Sequence, residues 1–366
     1  VVGNSGKSSP SRRINHGRRD KNCLVRYDAH SECASYFHKE RTMITRRHCT
    51  LTLAALPFAV AKIGTAHAQS YPAKPIRLVV PFPAGGSTDV GARLIAESLT
   101  RTFGQQVYVE NKSGANGTIG VEDAAKSPPD GYTILVTIDA VTSNPHVFHT
   151  GINPTKDLLP VIQVSRQPIV LAAHPSLGVN SLAELIALAK KQPGLPYATG
   201  SGLGSPQHMA VQWFAQIAGI ALKQVPYRGG GQAINDLLGG HVKLGSLGST
   251  PLISHYKAGT LRLLAQTSNT RSPSLPDVPT FEESGIKGLV LDQWLGVFVP
   301  AGTPPDIASR LNGEINKAIA DPAVRKNFLD SAQEPIGGTV DQFATLVRED
   351  YAKFGRLVKD LNIKAE

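Results

Sequence analysis

Apolar positions along this 366-residue chain alternate between short unbroken runs and longer stretches of helical period. Ile76, Leu78, Val79 and Val80 make the first run, which Pro81 and Pro83 end. Such a run reads as a strand buried on both faces. Pro83-Ala-Gly-Gly-Ser-Thr-Asp89 follows, then a helical period over 90–103, with Gly104 placed for a left-handed C-terminal cap. A strand at 106–110, a second Gly-rich loop at 111–117, a short helix to 126, a turn at 128–131 and a strand at 132–138 come next. This βαβαβ order predicts a parallel sheet with helices on both faces.

The pattern restarts near Pro168 with a strand at 169–173. Ser181-Leu-Ala-Glu184 is a capping box for a helix that stops at Pro193-Gly194. A strand at 197–199 runs into Gly200-Ser-Gly-Leu-Gly-Ser205, where Ser205 can N-cap a helix with Pro206 at its first position. A strand at 225–227 leads through Arg228-Gly-Gly-Gly231 into a helix ending at 238. Strands at 242–247 and 261–267, with a helix at 252–257 between them, complete this half. A strand at 290–299 and a helix from Thr303 to 320 follow. A last helix starts after Thr339, with Phe343, Leu346, Val347, Tyr351, Phe354, Leu357, Val358 and Leu361 on one stripe. No repeat of fixed period is present. Two α/β units are expected, and the chain crosses between them near 168 and again near 291.

Charge changes this picture only at the N-terminus. The formal net charge of +10 is concentrated in residues 1–68, which hold 12 Lys+Arg against 4 Asp+Glu and leave 26 against 24 for the rest. A nucleic-acid partner is therefore not indicated. Met43, the Arg46-Arg47 pair, the apolar run at 51–61 and Ala66-His-Ala68 form a secretory signal read as cleaved before Gln69, by ordinary rather than twin-arginine export. Residues 1–42 are polar and aperiodic, and are expected to be a disordered or non-native extension. Gly3-Asn-Ser-Gly-Lys-Ser8 is too short between its glycines for a phosphate-binding loop. Cys23, Cys33 and Cys49 all lie in this leader, so the mature segment has no thiol, disulfide or cysteine-zinc chemistry.

The remaining chemistry is sparse. Gly85-Gly-Ser87-Thr-Asp89 lacks the last glycine of a serine-nucleophile elbow, and Gly200-Ser-Gly-Leu-Gly204 is one residue short of a dinucleotide fingerprint. No His-Glu-x-x-His spacing exists, and neither metal nor cofactor is indicated. What recurs is a Gly-rich loop feeding a helix start, at 84–89, 113–118, 200–206 and 228–232. Exposed backbone N–H groups there favour anions. One helix terminus contributes only ~0.3–1 kcal/mol when exposed and ~2 when partly buried, against ~8 for micromolar affinity. Water-mediated bonds and closure of two domains must supply the rest.

Val80-Pro-Phe-Pro-Ala-Gly-Gly-Ser-Thr-Asp89, Glu110-Asn-Lys-Ser-Gly-Ala-Asn-Gly117, Pro129-Asp-Gly-Tyr-Thr133, Gly204-Ser-Pro-Gln-His208, Val225-Pro-Tyr-Arg-Gly-Gly230 and Val299-Pro-Ala-Gly-Thr-Pro304 together resemble one family. It is the Bug family, the extracytoplasmic solute receptors of tripartite tricarboxylate transporters, and the similarity runs from Tyr71 to Lys364. The resemblance implies a type II periplasmic-binding-protein fold, two doubly wound α/β domains joined by two crossing strands. The expected division is 69–168 with 292–366 as domain 1 and 169–291 as domain 2. It implies a monomeric, non-enzymatic periplasmic receptor for a small organic acid, amino acid or related solute, docking on membrane permease subunits or a sensor. A sensor partner without a transporter, and an exported hydrolase-like or nucleotide-binding enzyme, stay open as alternatives.

Carried over by position, the resemblance puts Ala84, Gly85, Gly86 and Asp89 in the site, Asp89 orienting water or the loop or serving as a first-turn acid. The second domain offers Ser201, Gly202, Ser205, His208, Tyr227 and Arg228. For His208 packing or capping is the stronger expectation, for Arg228 a rim charge is equally so, and Trp294 reads as core or hinge. Two places depart from the family pattern. Thr137-Ile-Asp139-Ala-Val-Thr142 brings Thr137, Asp139 and Thr142 to the cleft, where Asp139 would meet an amine or cation, or else lie in a solvated turn. Lys243 stands where an aspartate is usual.

Overall fold

The computed structural model describes residues 71–148 and 150–364, within one unit spanning His67–Glu366. The extension at 1–42, the signal at 43–68 and the expected start at Gln69 lie outside the described residues.

The first lobe is built on β1 (Ile76–Val80), whose apolar side chains are fully buried on both faces. Ile76, Leu78 and Val80 face α1 (Ser87–Phe103) through Ile95 and Leu99, while Val79 packs on the other face with Val121 of α2 (Thr118–Ala125). Burying each such side chain contributes roughly 1.5–3 kcal/mol, so the strand anchors the loop that follows it. β2 (Val107–Asn111) and β3 (Thr133–Ile138) flank β1, both parallel to it. After β3 comes α3 (Ala140–Val147), then the 16-residue β4 (Leu158–Ala173).

The second lobe holds, in order, α4 (Leu182–Lys191), β5 (Leu195–Thr199), α5 (Pro206–Ala218), β6 (Leu222–Pro226), α6 (Gly230–Leu238), β7 (Leu244–Gly248), α7 (Ile253–Lys257) and β8 (Arg262–Gln266). The chain returns along β9 (Asp292–Pro300) and ends with α8 (Pro305–Ala320), α9 (Pro322–Asp330), the two-residue β10 (Glu334–Pro335) and α10 (Val340–Asp360). The first lobe's strand order is β2-β1-β3-β9-β4-β10 and the second's β8-β4-β7-β5-β6. β4 belongs to both: 158–168 pair with β9, and 169–173 pair with β7 and β8.

Three expectations need correction. The first lobe's sheet is mixed, because β9 runs antiparallel to both β3 and β4. It enters from the second lobe, at the end where β1 to β3 leave, so it must run against them. The stretch after β3 is a helix, although Pro145 and a run of Thr, Ser and Asn disfavour one; residues 140–144 are all buried, and packing overrides propensity. Residues 158–168 are also strand, hidden in the sequence by Pro160, Pro168 and register shifts at 160–162 and 163–165.

α10 begins with the full capping box, Thr339 and Gln342 each bonding the other's backbone. Its first half packs Phe343 on Trp294 and Phe298 of β9. Its second half meets Met209 and Ala210 of α5 beside Ile169 and Leu291, so this helix spans both lobes at the crossing strands. Among the described residues, no helix is long and apolar enough to cross a membrane.

Candidate functional site

The strand ends of the two lobes face each other, and their Gly-rich loops meet. Gly86 precedes α1 and Gly229 precedes α6; both N-cap positions are extended, and neither helix start has a side-chain cap. The two first turns, Gly86-Ser87-Thr88 and Gly229-Gly230, line one cavity of about 30 Å³ with Gly200 and Ser201 beside them and Ile138, Gln207 and Leu247 beneath. Glycine is needed at two places: within the second lobe a Cβ on Gly200 would lie 2.8 Å from the Gly230 Cα, and across the cleft one on Gly229 would lie 3.0 Å from the Pro83 ring of the first lobe. The jaws are thus pressed together. Ligand pockets usually measure ~300–1,000 Å³, so admitting even a small acid requires the lobes to part. A second cavity of about 370 Å³ lies beside the crossing strands, but its arginines are already paired, Arg166 with Glu334 and Arg271 with Glu283.

The first jaw is held by a carboxylate. Asp89, buried in the first turn of α1, accepts from the Gly85 amide at 3.0 Å and Arg93 Nε at 2.9 Å through Oδ2, and from Asn111 Nδ2 at 3.0 Å through Oδ1. Asn111 also donates to the Phe82 carbonyl at 3.0 Å, tying the loop to β2. Burial pushes the Asp89 carboxyl up, but hydrogen bonds from Arg93, Gly85 and Asn111 and the Arg93 charge outweigh it and hold Asp89 below the usual range. With both oxygens engaged, Asp89 shapes the loop. Gly85 has φ +85° and spends its amide on Asp89, and Ala84 is exposed with its carbonyl toward Gly231, so of the four only Gly86 lines the cavity.

Neutral groups hold the second jaw. Ser205 caps α5 by accepting from the His208 amide at 3.2 Å and donates to the Ser201 carbonyl at 3.0 Å. His208 Nδ1 accepts from the Gly204 amide at 3.1 Å, and burial lowers its imidazole to about 4, so at neutral pH it is an uncharged loop clamp. Gln207 Oε1 accepts from the Gly200 amide at 2.9 Å. Tyr227 donates its hydroxyl to Asp236, and Arg228 is exposed beside Gly229. Gly202 donates its amide across the cleft to Asn116 at 2.9 Å.

The residues after β3 sit differently from the expectation. Asp139 is only 1% exposed, is absent from the cavity lining and has no hydrogen-bond partner on either oxygen, so it is neither in a solvated turn nor on the cleft surface. The start of α3 folds its side chain under, beside Gln293, and burial pushes its carboxyl well above the usual range, with the Asp350 charge adding to the rise. Thr142 donates to the Asp139 carbonyl, and Thr137 is buried in β3 opposite Gly296; neither lines the cavity. Trp294 is core, 2% exposed and donating to Asp350 at 2.7 Å. Lys243 is exposed before β7, at the strand end opposite Gly248, and so stands apart from the cavity. Residues missed in the sequence are Ser87, Thr88, Gln207, Gly229 and Gly230. Their signal was position alone, the first turn after a Gly-rich loop.

A two-lobed α/β protein with paired helix starts closing on one cleft, joined by two crossing strands, is a clamshell solute-binding protein. Residues 91–363 match the tripartite tricarboxylate transporter family receptors, and the chain belongs to that family. Protein BugT of Bordetella pertussis (strain Tohama I) is 37% identical over 324 residues, covering 86% of this chain and 98% of BugT. Among solved structures, R. palustris Rpa4515 with adipate superposes with a TM-score of 0.77 at 33% identity, covering 80% of this chain and 99% of that one. MatC from Rhodopseudomonas palustris with bound malate gives 0.74 at 27% identity, covering 79% and 100%.

Proposed function

We propose that this receptor takes a small organic carboxylate between the α1 and α6 helix starts, closes on it, and carries it to a membrane permease for uptake. The observation that carries this reading is the pair of uncapped, glycine-headed helix starts facing one cavity from opposite lobes. No lysine or arginine lines that cavity, so backbone N–H groups with Ser87, Thr88, Ser201 and Gln207 would hold the anion. Two partly buried helix ends supply at most ~4 kcal/mol, half of the ~8 that micromolar binding needs, so closure has to contribute. The adipate and malate of the two solved relatives, both dicarboxylates, support a carboxylate ligand.

The lobes would hinge where β4 changes partners at 168–169 and where the chain returns at 291–292, so that 69–168 with 292–366 move against 169–291. We take the protein as exported to the periplasm by its N-terminal signal, monomeric and without catalytic activity. Purified 69–366 titrated with C4–C6 dicarboxylates, monocarboxylates and amino acids tests the reading. At least one carboxylate is expected to raise the melting temperature and to be recovered unchanged. A panel without any shift, or one member converted to product, overturns it.

A further inference from the structure

We propose that Asn116 is the latch that holds the closed jaws together, a positioning residue that acts through the Gly202 amide. The proposal rests on the clamshell reading above. Asn116 lies on the first lobe's second Gly-rich loop, where four successive residues have positive φ: Gly114 (140°), Ala115 (46°), Asn116 (52°) and Gly117 (89°). Left-handed backbone is uncommon for residues with a side chain, and it persists where the surroundings over-determine it.

Here the surroundings are a closed set of hydrogen bonds. Asn116 Nδ2 donates to Asn144 Oδ1 at 2.7 Å, and Asn144 Nδ2 donates back to the Asn116 carbonyl at 2.9 Å. This reciprocal pair fixes both amide orientations, because each Nδ2 has an oxygen to meet. It leaves Asn116 Oδ1 pointing out of the first lobe, where it accepts from the Gly202 amide of the second lobe at 2.9 Å. Asn144, 4% exposed in α3, anchors the pair. The Gly202 Cα has room for this approach: a Cβ there would meet only Asn116 atoms, at 3.7–3.9 Å.

The bond joins the loop that follows β2, the strand of the first lobe's sheet farthest from β4 in order, to the residue after Ser201, which lines the cavity. By contrast, Ser249 donates to the Ala332 carbonyl across the lobes at 2.8 Å beside the crossing strands, since it also reaches Gln167 of β4. A bond near a hinge survives small rotations, whereas one on the loop beyond the far edge strand is lost when the jaws part. Asn116 therefore reports and stabilises closure whatever the solute, and its removal speeds release without changing which solute binds.

Asn116→Gly tests this, since glycine takes a φ of +52° freely and only the side-chain amide is lost. In hydrogen exchange on ligand-free 69–366, Asn116→Gly is expected to lower Gly202 amide protection about three- to tenfold, the range of one net hydrogen bond, with β5 protection unchanged. With adipate as probe, the dissociation rate should rise by a similar factor in Asn116→Gly while the association rate stays near wild type. Unchanged Gly202 protection in Asn116→Gly, or a loss shared by β5, overturns the latch. The exchange arm needs no solute, so failure of adipate to bind the wild type counts against the carboxylate reading and leaves the latch to be judged on exchange.

Discussion

The two jaws of the cleft reach the same end by different chemistry. In the first lobe one ionised carboxylate, Asp89, organises the Gly-rich loop through the Gly85 amide, Arg93 and Asn111. In the second lobe a serine, an uncharged histidine and a glutamine do so, each bonding one backbone amide. Both leave the neighbouring helix start free of a side-chain cap at the cavity. The contrast shows that a loop built to present N–H groups needs its other polar groups satisfied, and that a charge is only one way to do it. It also makes the two jaws answer acid differently.

The largest expected effect follows from His208. Its folded value is depressed, so its contribution to stability is complete above the unfolded value and is lost as pH falls. The gap from 6.5 to about 4, at 1.36 kcal/mol per pH unit, amounts to ~3 kcal/mol lost across that window. Denaturant melts from pH 7.5 to 4.5 should show this fall in wild type and a flatter profile in His208→Gln. Parallel profiles would remove histidine from the second jaw's clamp.

Asp89→Ala is next. Breaking a charge-assisted bond and stranding Asn111 and the Gly85 amide is expected to cost about 2 kcal/mol, discounted because Arg93 is half-exposed. Because the folded value is lowered, Asp89's contribution holds above the ordinary carboxylate range and fades only as pH falls below it. The first jaw should therefore stay set at pH 5, where the second begins to loosen. An Asp89→Ala melt equal to wild type at pH 7 would show that the loop holds itself.

Asp139 sharpens the contrast from the other side, since it is a first-lobe carboxyl whose burial outweighs what Gln293 and the Ala140 backbone offer it. With Asp350 and Lys353 as its charged neighbours, its folded value is raised. Stability is then fully present below the unfolded value and is lost as pH rises through the folded one. Asp139→Asn is expected to gain roughly 1 kcal/mol at pH 8 and nothing at pH 4, read by the same melts. A loss at pH 8 would instead mean that the carboxylate has a use. Smallest is Ser205→Ala, which removes the α5 cap and should cost about 1 kcal/mol at every pH, in contrast to the pH-dependent His208 term. A pH-dependent Ser205→Ala effect would mean that the two caps act as one unit.

Much of the framework around the candidate site was legible in the sequence because its elements are local. The capping residues Ser181, Ser205 and Thr339 and the glycines at 104 and 219 announce helix ends through bonds spanning four residues or fewer. The unbroken run at Ile76–Val80 announced a strand covered on both sides, and the Gly-rich loops announced open helix starts. Asp89 was legible too, since its partners Gly85 and Arg93 lie four residues away on either side. Asp139 was not. Nothing near it in sequence buries it; α3 and the distant Gln293 and Asp350 do.

The sequence by itself thus determined the two α/β units, the places where helices open, and the absence of catalytic motifs, because period, caps and glycine act over one or two turns. The tertiary structure alone decided which of those openings face one another. It brought Gly86 to Gly229 and Asn116 to Gly202, turned β9 against its neighbours, and hid Asp139 beneath the cleft. Those pairings join residues 86 or more positions apart, and their physical reason is the double crossing between lobes, which no local pattern encodes.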